Sequence, residues 1–392
     1  MKNNMYLTKP QFDAETQKCL QCKAKPCMKA CPVLCSPCDF IADAKNNDMR
    51  AAAELITKQN ALGEVCGLIC PDTFCMKACV RANIDSAIKI PAVQAYIMRE
   101  ARLSNLTKAE QGAANGKKIA VIGLGPAGIG AVAELIKRGF TVEAFEEKSV
   151  VGGALNLIPQ SRLPREIIAY EWQKLSQSPL VTAHFDRKIT DYAALLQSGF
   201  DAVIVTVGEQ KCRKMGIEGE ENALLYTDYL QIPEKYQTGG NVAIIGGGAV
   251  AVDCAVTARE NGAKNVEMFV RRKIGNMRIT PLERDTLLKN DVDITTMTRV
   301  AKIEKDGDFL TAYTVKTQFN EEGKLVDVPN TMVARKGFKH IIYALGSSRG
   351  EDIIEADRII YAGDFVSGGS TAVQAIASGR DAVQKISARL GI

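Results

Sequence analysis

The densest chemistry in this 392-residue chain is sulfur, because ten of its 12 cysteines fall within the first 79 residues. Cys19, Cys22, Cys27 and Cys31 form the run C-x2-C-x4-C-x3-C-P. Cys35 and Cys38 follow, and Cys66, Cys70, Cys75 and Cys79 form C-x3-C-P-x3-C-x3-C. Thiols crowded in this way cross-link, hold metal or carry electrons. Cross-links belong to oxidising compartments, and the opening "MKNNMYLTKPQFDAETQK" lacks the apolar core of a secretion signal. No apolar run approaches the roughly 20 residues that span a bilayer. The expectation is a cytoplasmic chain without a membrane span, whose thiols stay reduced and serve metal or redox chemistry. Cys212 and Cys254 stand alone and are read as packing residues.

Spacing narrows the guest. Bacterial ferredoxins use a related run, in which the last cysteine before proline ligates a different cluster from the others. A tight loop wraps three thiolates around one cube, and a fourth, about one helical turn on, points elsewhere. That reading assigns Cys19, Cys22 and Cys27 to one iron–sulfur cluster and sends Cys31 to a second. Zinc competes, through the two C-x2-C pairs Cys19/Cys22 and Cys35/Cys38, but leaves the C-x4-C-x3-C-P tail unexplained. Between the runs, "DFIADAKNNDMRAAAELITKQN" has helical apolar spacing, so the cysteines are expected in a small helical holder.

From Lys117 the texture changes. "KKIAVIGLGPAGIGAVAELIKRGFTVEAFEE" reads as strand, glycine turn, amphipathic helix and second strand, with Gly123, Gly125 and Gly128 in the turn and Glu146 at the second strand's end. The glycines suit a tight turn, close approach of backbone to a pyrophosphate and close helix packing; the acid suits ribose hydroxyls. The pattern returns in "NVAIIGGGAVAVDCAVTARENGAKNVEMFVRR", with Gly246, Gly248 and then Ala251. There Arg271 and Arg272 replace the acid, and Arg278 follows on the next loop. Arginines at that place suit the 2′-phosphate of NADP, the plainer reading being a solvated pair at a strand end. Near the C-terminus "RIIYAGDFVSGGSTAVQAIASGR" gives a strand, Gly363–Asp364 and a helix, the returning half of a flavin domain. Its aspartate would hold sugar or ribityl hydroxyls, with the helix N-terminus toward phosphate.

At this length two or three domains are expected. The net charge of +5 comes without a basic block, which argues against nucleic acid as a partner. The two histidines, His184 and His340, form no catalytic dyad with a partner in the sequence and are read as structural or surface residues.

Taken in order, the cysteine pattern, "ALGEVCGLICP", "GLGPAG", "GGALNLIPQSRLP", "GGGAVAVDCA" and "AGDFVSGGSTAVQAIASG" resemble the glutamate synthase small-subunit family, which includes the N-terminal half of dihydropyrimidine dehydrogenase. The resemblance covers nearly the whole chain. It implies two [4Fe–4S] clusters, FAD on the first dinucleotide fold and NAD(P)H on the second. Carried over by position, Cys19, Cys22, Cys27 and Cys79 would hold one cluster, and Cys31, Cys70 and Cys75 the other with a non-cysteine fourth ligand. The segment "AIKIPAVQAYI" puts Gln94 at that place, with Cys66 as the competing thiolate. The resemblance adds Pro126, Ala127, Gly153, Arg162, Leu163, Ser370 and Thr371 to the flavin side, and Gly247, Ala249 and Val250 to the nicotinamide side. "VRRKIGNMRITP" looks like the dihydropyrimidine branch, where such cations grip NADPH phosphate, so NADPH is expected over NADH.

The chain departs from the family at Leu157-Ile158-Pro159, where members read G-I-P, and in carrying Cys35 and Cys38. The fold expected is α/β: a helical iron–sulfur domain (1–112), then two Rossmann-like domains, with a discontinuous FAD domain (113–208 and 347–392) enclosing an NAD(P)H domain (209–346). No FMN barrel or glutaminase-type domain is recognisable. The implied role is an electron-input subunit, a hydride-accepting flavin feeding the clusters and then a partner subunit, in a hetero-oligomer. A dihydropyrimidine dehydrogenase-like partner containing FMN is the first choice. Glutamate synthase of the large-subunit type, a bifurcating transhydrogenase, and a scaffold that binds nucleotides without turnover are the alternatives.

Overall fold

The computed structural model describes residues 5–392 apart from Gln210, Glu351, Asp352, Ile354 and Glu355. The chain forms two compact units, one of Met1–Asn156, Gln160–Gln210 and Arg349–Ile392, the other of Leu157–Pro159 and Lys211–Ser348.

The first unit begins with six helices: α1 (Lys9–Gln17), α2 (Pro26–Lys29), α3 (Pro37–Lys45), α4 (Met49–Gln59), α5 (Gly63–Ile69) and α6 (Ile90–Leu103). The stretch with helical apolar spacing forms two helices, because Asn47 turns the chain at φ +62° and the Asp48 carboxylate then caps α4 through the Ala51 N–H at 2.9 Å. Phe12, Phe40, Ile41, Ile56, Leu62 and Ile97, each 1% exposed or less, fill the space between these helices. The cysteines lie mostly in the short loops and first turns that this core holds in place.

A parallel sheet follows: β1 (Lys118–Ile122), α7 (Pro126–Lys137), β2 (Thr141–Phe145), α8 (Arg165–Ser176), β3 (Val181–His184) and β4 (Ala202–Val205). Strands β1 and β4 are apolar almost throughout and buried on both faces, as parallel strands covered by helices must be.

The second unit repeats the motif with β5 (Asn241–Ile245), α9 (Ala249–Glu260), β6 (Asn265–Val270) and β7 (Val292–Thr296). It continues through the long strands β8 (Thr298–Asp306), β9 (Phe309–Phe319) and β10 (Val333–Tyr343). The sheet order is β8-β9-β10-β5-β6-β7, with β10, β5, β6 and β7 parallel and β8, β9 and β10 antiparallel.

The chain then returns to the first unit as β11 (Ile359–Tyr361) and α10 (Ala372–Leu390). β11 pairs parallel to β4, giving the order β11-β4-β1-β2-β3, so the first sheet is completed by the end of the chain. Among the described residues no helix is long and apolar enough to cross a membrane.

Candidate functional site

The cysteines of the helical region rim two separate hollows. Cys19, Cys22, Cys27 and Cys79 line one, together with Cys38, Leu20, Val80 and Ile88. Cys31, Cys70, Cys75 and Gln94 line the other, together with Cys35 and Cys66. Loop turns make this interleaving: Gln21 and Lys25 take φ +50° and +44° on the first run, and Leu34 takes φ +56° beyond Cys31. Cys31 therefore leaves the first hollow although only three residues separate it from Cys27.

Each hollow offers about 30 Å³ of accessible space between the side chains that line it. Among the described residues no three His, Cys, Asp or Glu side chains are grouped closely enough to hold one metal ion. The donors are nearly all sulfur, and the two hollows are similar in size. This chemistry suits an iron–sulfur cube in each better than a zinc ion, whose ligands must converge at about 2.3 Å.

Burial pushes the Cys75 thiol up to about 12 and raises that of Cys27. A hydrogen bond with Cys66, followed by burial, raises that of Cys70. Cys31 moves the other way, to about 7, because the Cys35 thiol donates to it against the effect of burial, with help from the N–H groups of Val33, Leu34 and Cys35. Thiols that resist ionisation alone lose their protons when a cation binds them. Gln94 sits 8% exposed at the start of the second turn of α6. Its Nε2 donates to the Gly63 carbonyl at 2.7 Å, which leaves its Oε1 as the donor atom for a guest.

At the first glycine loop, Gly125 caps α7 in extended conformation, and Pro126 and Ala127 begin the helix. A Cβ on Gly128 would lie 1.9 Å from the Gly123 carbonyl oxygen, so α7 starts hard against β1. A Cβ on Gly125 would meet nothing nearer than the Gly153 Cα at 4.0 Å, so open space lies in front of the helix N-terminus. Glu146 is 5% exposed, and its carboxylate accepts the N–H groups of Leu124 at 2.8 Å and Lys148 at 3.0 Å. A carboxylate has about four acceptor sites, so two remain for hydroxyls. These features fit a dinucleotide pyrophosphate and ribose.

Gly363 brings the returning chain to the same helix: a Cβ there would lie 2.8 Å from the Ala127 Cβ. Burial raises the Asp364 carboxyl, which accepts the Ser370 hydroxyl. Thr371 caps α10 in a reciprocal box with Gln374, so its hydroxyl serves the helix. Arg162 is half-buried, and Leu163 is fully buried beside it.

In the second unit Gly248 caps α9, and a Cβ on it would meet nothing within 4 Å. Gly246 and Gly247 precede it, and Ala249 and Val250 open the helix. A Cβ on Gly247 would lie 2.9 Å from Val270 Cγ1 and 3.6 Å from Met277 Cγ, the residues preceding Arg271 and Arg278. The Arg278 N–H donates to the Gly247 carbonyl at 3.0 Å. Arg271 and Arg278 are therefore both tied to the glycine loop and exposed, with Arg272 half-buried.

The isolated cysteines and the histidines lie apart from these sites. Cys254 is buried in the second unit's core, and Cys212 packs at its edge. His184 stacks on Phe145 and pairs with Glu143 at 3.1 Å, and His340 packs edge-on against Tyr236.

Sequence reasoning missed the polar ties beneath the cysteine loops. Glu171 of α8 accepts the N–H groups of Glu64 at 2.7 Å and Val65 at 3.2 Å. Arg380 of α10 donates to the Val33 and Gln59 carbonyls, both at 2.9 Å. Glu171 carries no motif and Arg380 only closes the C-terminal segment quoted above; the long-range contacts disclose what they do.

Comparison with known proteins agrees with this architecture. Residues 117–339 match the family described as pyridine nucleotide-disulphide oxidoreductase, and residues 2–106 match dihydropyrimidine dehydrogenase domain II, 4Fe-4S cluster. The NAD-dependent dihydropyrimidine dehydrogenase subunit PreT of Escherichia coli (strain K12) is 28% identical over 399 residues, covering 95% of this chain and 92% of that protein. The NADP(+)-dependent formate dehydrogenase subunit beta of Moorella thermoacetica is 29% identical over 285 residues, 64% of this chain and 40% of that protein. Mycobacterium tuberculosis FprA in complex with NADPH shares the fold at a TM-score of 0.61 and 16% identity, over 70% of this chain and 85% of that one.

Proposed function

The chain belongs to the pyridine nucleotide-disulphide oxidoreductase family and is an NAD(P)H-dependent oxidoreductase with a 4Fe-4S domain; on that premise we propose that it is an electron-input subunit, oxidising NADPH and passing the electrons to a partner protein. The observation that carries this reading is the pair of thiol-lined hollows in one compact unit with a dinucleotide fold.

In this reading Cys19, Cys22, Cys27 and Cys79 hold one [4Fe–4S] cluster, and Cys31, Cys70, Cys75 and Gln94 hold the other. Gly123, Gly125 and Gly128 admit the FAD pyrophosphate to the N-terminus of α7, with Pro126, Ala127 and Gly153 shaping that space. Glu146 and Asp364 hold its hydroxyls, Arg162 and Ser370 line the same site, and Leu163 in the core and Thr371 at the cap of α10 support it. Gly246, Gly247, Gly248, Ala249 and Val250 receive the NADPH pyrophosphate, while Arg271, Arg272 and Arg278 hold its 2′-phosphate. FAD, when bound, supplies the exchange between a two-electron hydride and the single electrons that clusters carry. The protein's part is to bind and orient, and no side-chain acid or base is assigned.

The partner proposed is a catalytic subunit that reduces a pyrimidine, because the relative aligned along nearly the whole chain is named as a dihydropyrimidine dehydrogenase subunit. The anaerobically purified chain should carry about eight iron and eight sulfide, and NADPH should bleach its flavin. The C19S variant should lose a different half of the iron signal from C31S. Alone, the chain should reduce artificial dyes but show no uracil- or oxoglutarate-dependent NADPH oxidation. Robust activity of that kind without a partner would refute the electron-input role, and zinc without labile sulfide would refute the clusters.

A further inference from the structure

Gln94 is the non-sulfur member of the second ligand set, and an amide oxygen is a harder, neutral donor to iron than a thiolate. Its hold on a guest depends on which end of the amide faces the hollow and on how firmly that end is kept there. The Gly63 carbonyl, 2.7 Å away, can accept only from Nε2, so the amide has one orientation. The peptide group that imposes it is shared. Gly63 contributes its C=O and Glu64 its N–H, two ends of a single planar unit. That N–H donates to the Glu171 carboxylate at 2.7 Å, whose other oxygen accepts the Val65 N–H at 3.2 Å. Around this unit α5 is pressed onto its neighbours: a Cβ on Gly63 would lie 2.8 Å from Ile56 Cγ2, and one on Gly67 only 2.5 Å from the Ala95 backbone nitrogen. The Glu64 side chain is held as well, by Arg102 of α6 at 2.8 and 2.9 Å.

Resting on the iron–sulfur reading of the second hollow, we infer that Glu171 is a positioning residue for the cluster there: through the peptide between Gly63 and Glu64 it orients Gln94 and strengthens Oε1 as an iron ligand. Hydrogen bonds in series polarise one another. An acceptor on the N–H makes the carbonyl at the other end of the peptide a better acceptor. That carbonyl then draws harder on the Nε2–H of Gln94 and leaves Oε1 richer in electron density. A thiolate carries its own charge and gains little from such a relay, whereas a neutral amide depends on it. Partners one step outside a ligand set commonly govern its affinity by about 10–100-fold. The helix that bears Glu171 also organises the flavin side. Arg165 in its first turn donates to the Leu163 carbonyl at 3.0 Å and the Asn156 carbonyl at 2.6 Å. One helix, α8, therefore joins the flavin-side loop to the amide ligand of the second cluster.

The test is ferricyanide oxidation of the anaerobically purified full chain, followed by electron paramagnetic resonance. It compares the unmodified protein with Glu171→Leu, Glu171→Gln, Gln94→Ala and the Glu171→Leu/Gln94→Ala double variant. Loss of one iron from a cube leaves a three-iron centre with its own signal, and C19S and C31S identify which cluster each signal belongs to. Glu171→Leu should form the three-iron signal of the second cluster at least about tenfold faster, with the first cluster unchanged. Glu171→Gln, whose amide oxygen can still accept the Glu64 N–H, should recover most of the difference. In the Gln94→Ala background Glu171→Leu should add nothing, because the relay has lost its end. An unchanged rate in Glu171→Leu, equal loss of both clusters, or additive effects in the double variant would overturn the proposal. Where Glu171→Leu fails to fold, Glu171→Asp, shorter by one methylene, is read by the same criteria. Absence of any cluster signal from the unmodified protein would instead overturn the iron–sulfur reading on which the proposal rests.

Discussion

Replacing Arg271 with glutamine should cut the preference for NADPH over NADH by about tenfold. Val270 and Met277 pack on Gly247, and the chain leaves each of them into an arginine. The Arg271 carbonyl is fixed by the Thr317 hydroxyl at 2.7 Å, and Arg278 is fixed by its N–H on the Gly247 carbonyl. The backbones of both cations are therefore set before any ligand arrives, so the ordering cost left for binding is that of the side chains. A hydrogen bond between a guanidinium and a phosphate contributes about 1.5–3 kcal/mol. Both side chains are solvent-exposed, and screening at physiological salt argues for the lower end of that range. Arg271→Gln should then weaken NADPH by about tenfold and leave NADH within about twofold. Arg278→Gln should do the same to a similar degree. The assay is anaerobic stopped-flow reduction of the bound flavin with each coenzyme, giving Kd and the limiting rate separately. Equal reduction of the unmodified protein by both coenzymes would refute the reasoning, as would a variant that weakens both alike. The second outcome would make the arginine a general phosphate or structural contact.

Two further outcomes follow from buried contacts in the first unit. Burial pushes the Glu171 carboxyl from 4.5 up to about 7, so the folded state holds a proton that the unfolded chain has released. Its contribution is complete below about pH 4.5 and is lost as pH rises toward 7, by at most ~3 kcal/mol. Glu171→Gln should flatten denaturant-measured stability across that window, and curves running parallel to the unmodified protein would contradict this. On the flavin side, a Cβ on Gly379 would lie 2.0 Å from the Ala127 carbonyl oxygen. Gly379→Ala should therefore separate α10 from α7, cost about 1–3 kcal/mol or more and release FAD on gel filtration. Retained stoichiometric flavin would count against the close helix contact.

Much of this architecture was legible because it is written in local spacing. The two glycine loops, the helices behind them and the strand ends at Glu146 and Arg271 are fixed within about thirty residues each. Backbone sterics leave few other ways to connect a strand to a helix through such a turn. The thiol runs were equally plain as chemistry. Harder to read was their partition beyond the first three thiols and Cys31, since the places of Cys79 and Gln94 depend on how loops after Gly63 fold back over α6, a tertiary matter. The break between α3 and α4 is faint for a smaller reason: "KNND" fits a helical pattern, and the left-handed Asn47 and the Asp48 cap show that the chain turns. Cys35 and Cys38 had no motif to interpret them.

Least legible were the buried polar side chains that tie the cluster helices to the flavin-side helices. Glu171 is 1% exposed and meets backbone N–H groups of α5, the helix that carries Cys66 and leads to Cys70. Arg380, with two carbonyls and the Gln59 Oε1 at 3.0 Å, holds the loop between Cys31 and Cys35 and leaves its Nε without a hydrogen bond. Apolar contacts at these places would cost less desolvation, since burying a charged group is expensive even when it is paired. What hydrogen bonds to backbone supply, and apolar packing does not, is direction. Both ties end on main-chain atoms of the segments that present Cys31, Cys35, Cys66 and Cys70, and both start from helices packed around the first dinucleotide fold. A helix that slid by one turn would leave these buried polar groups unpaired, at a cost of several kcal/mol. The thiol hollows are thus fixed relative to the first glycine loop by contacts that tolerate no alternative register. A chain whose function is to pass electrons between bound groups needs that constraint more than it needs added stability.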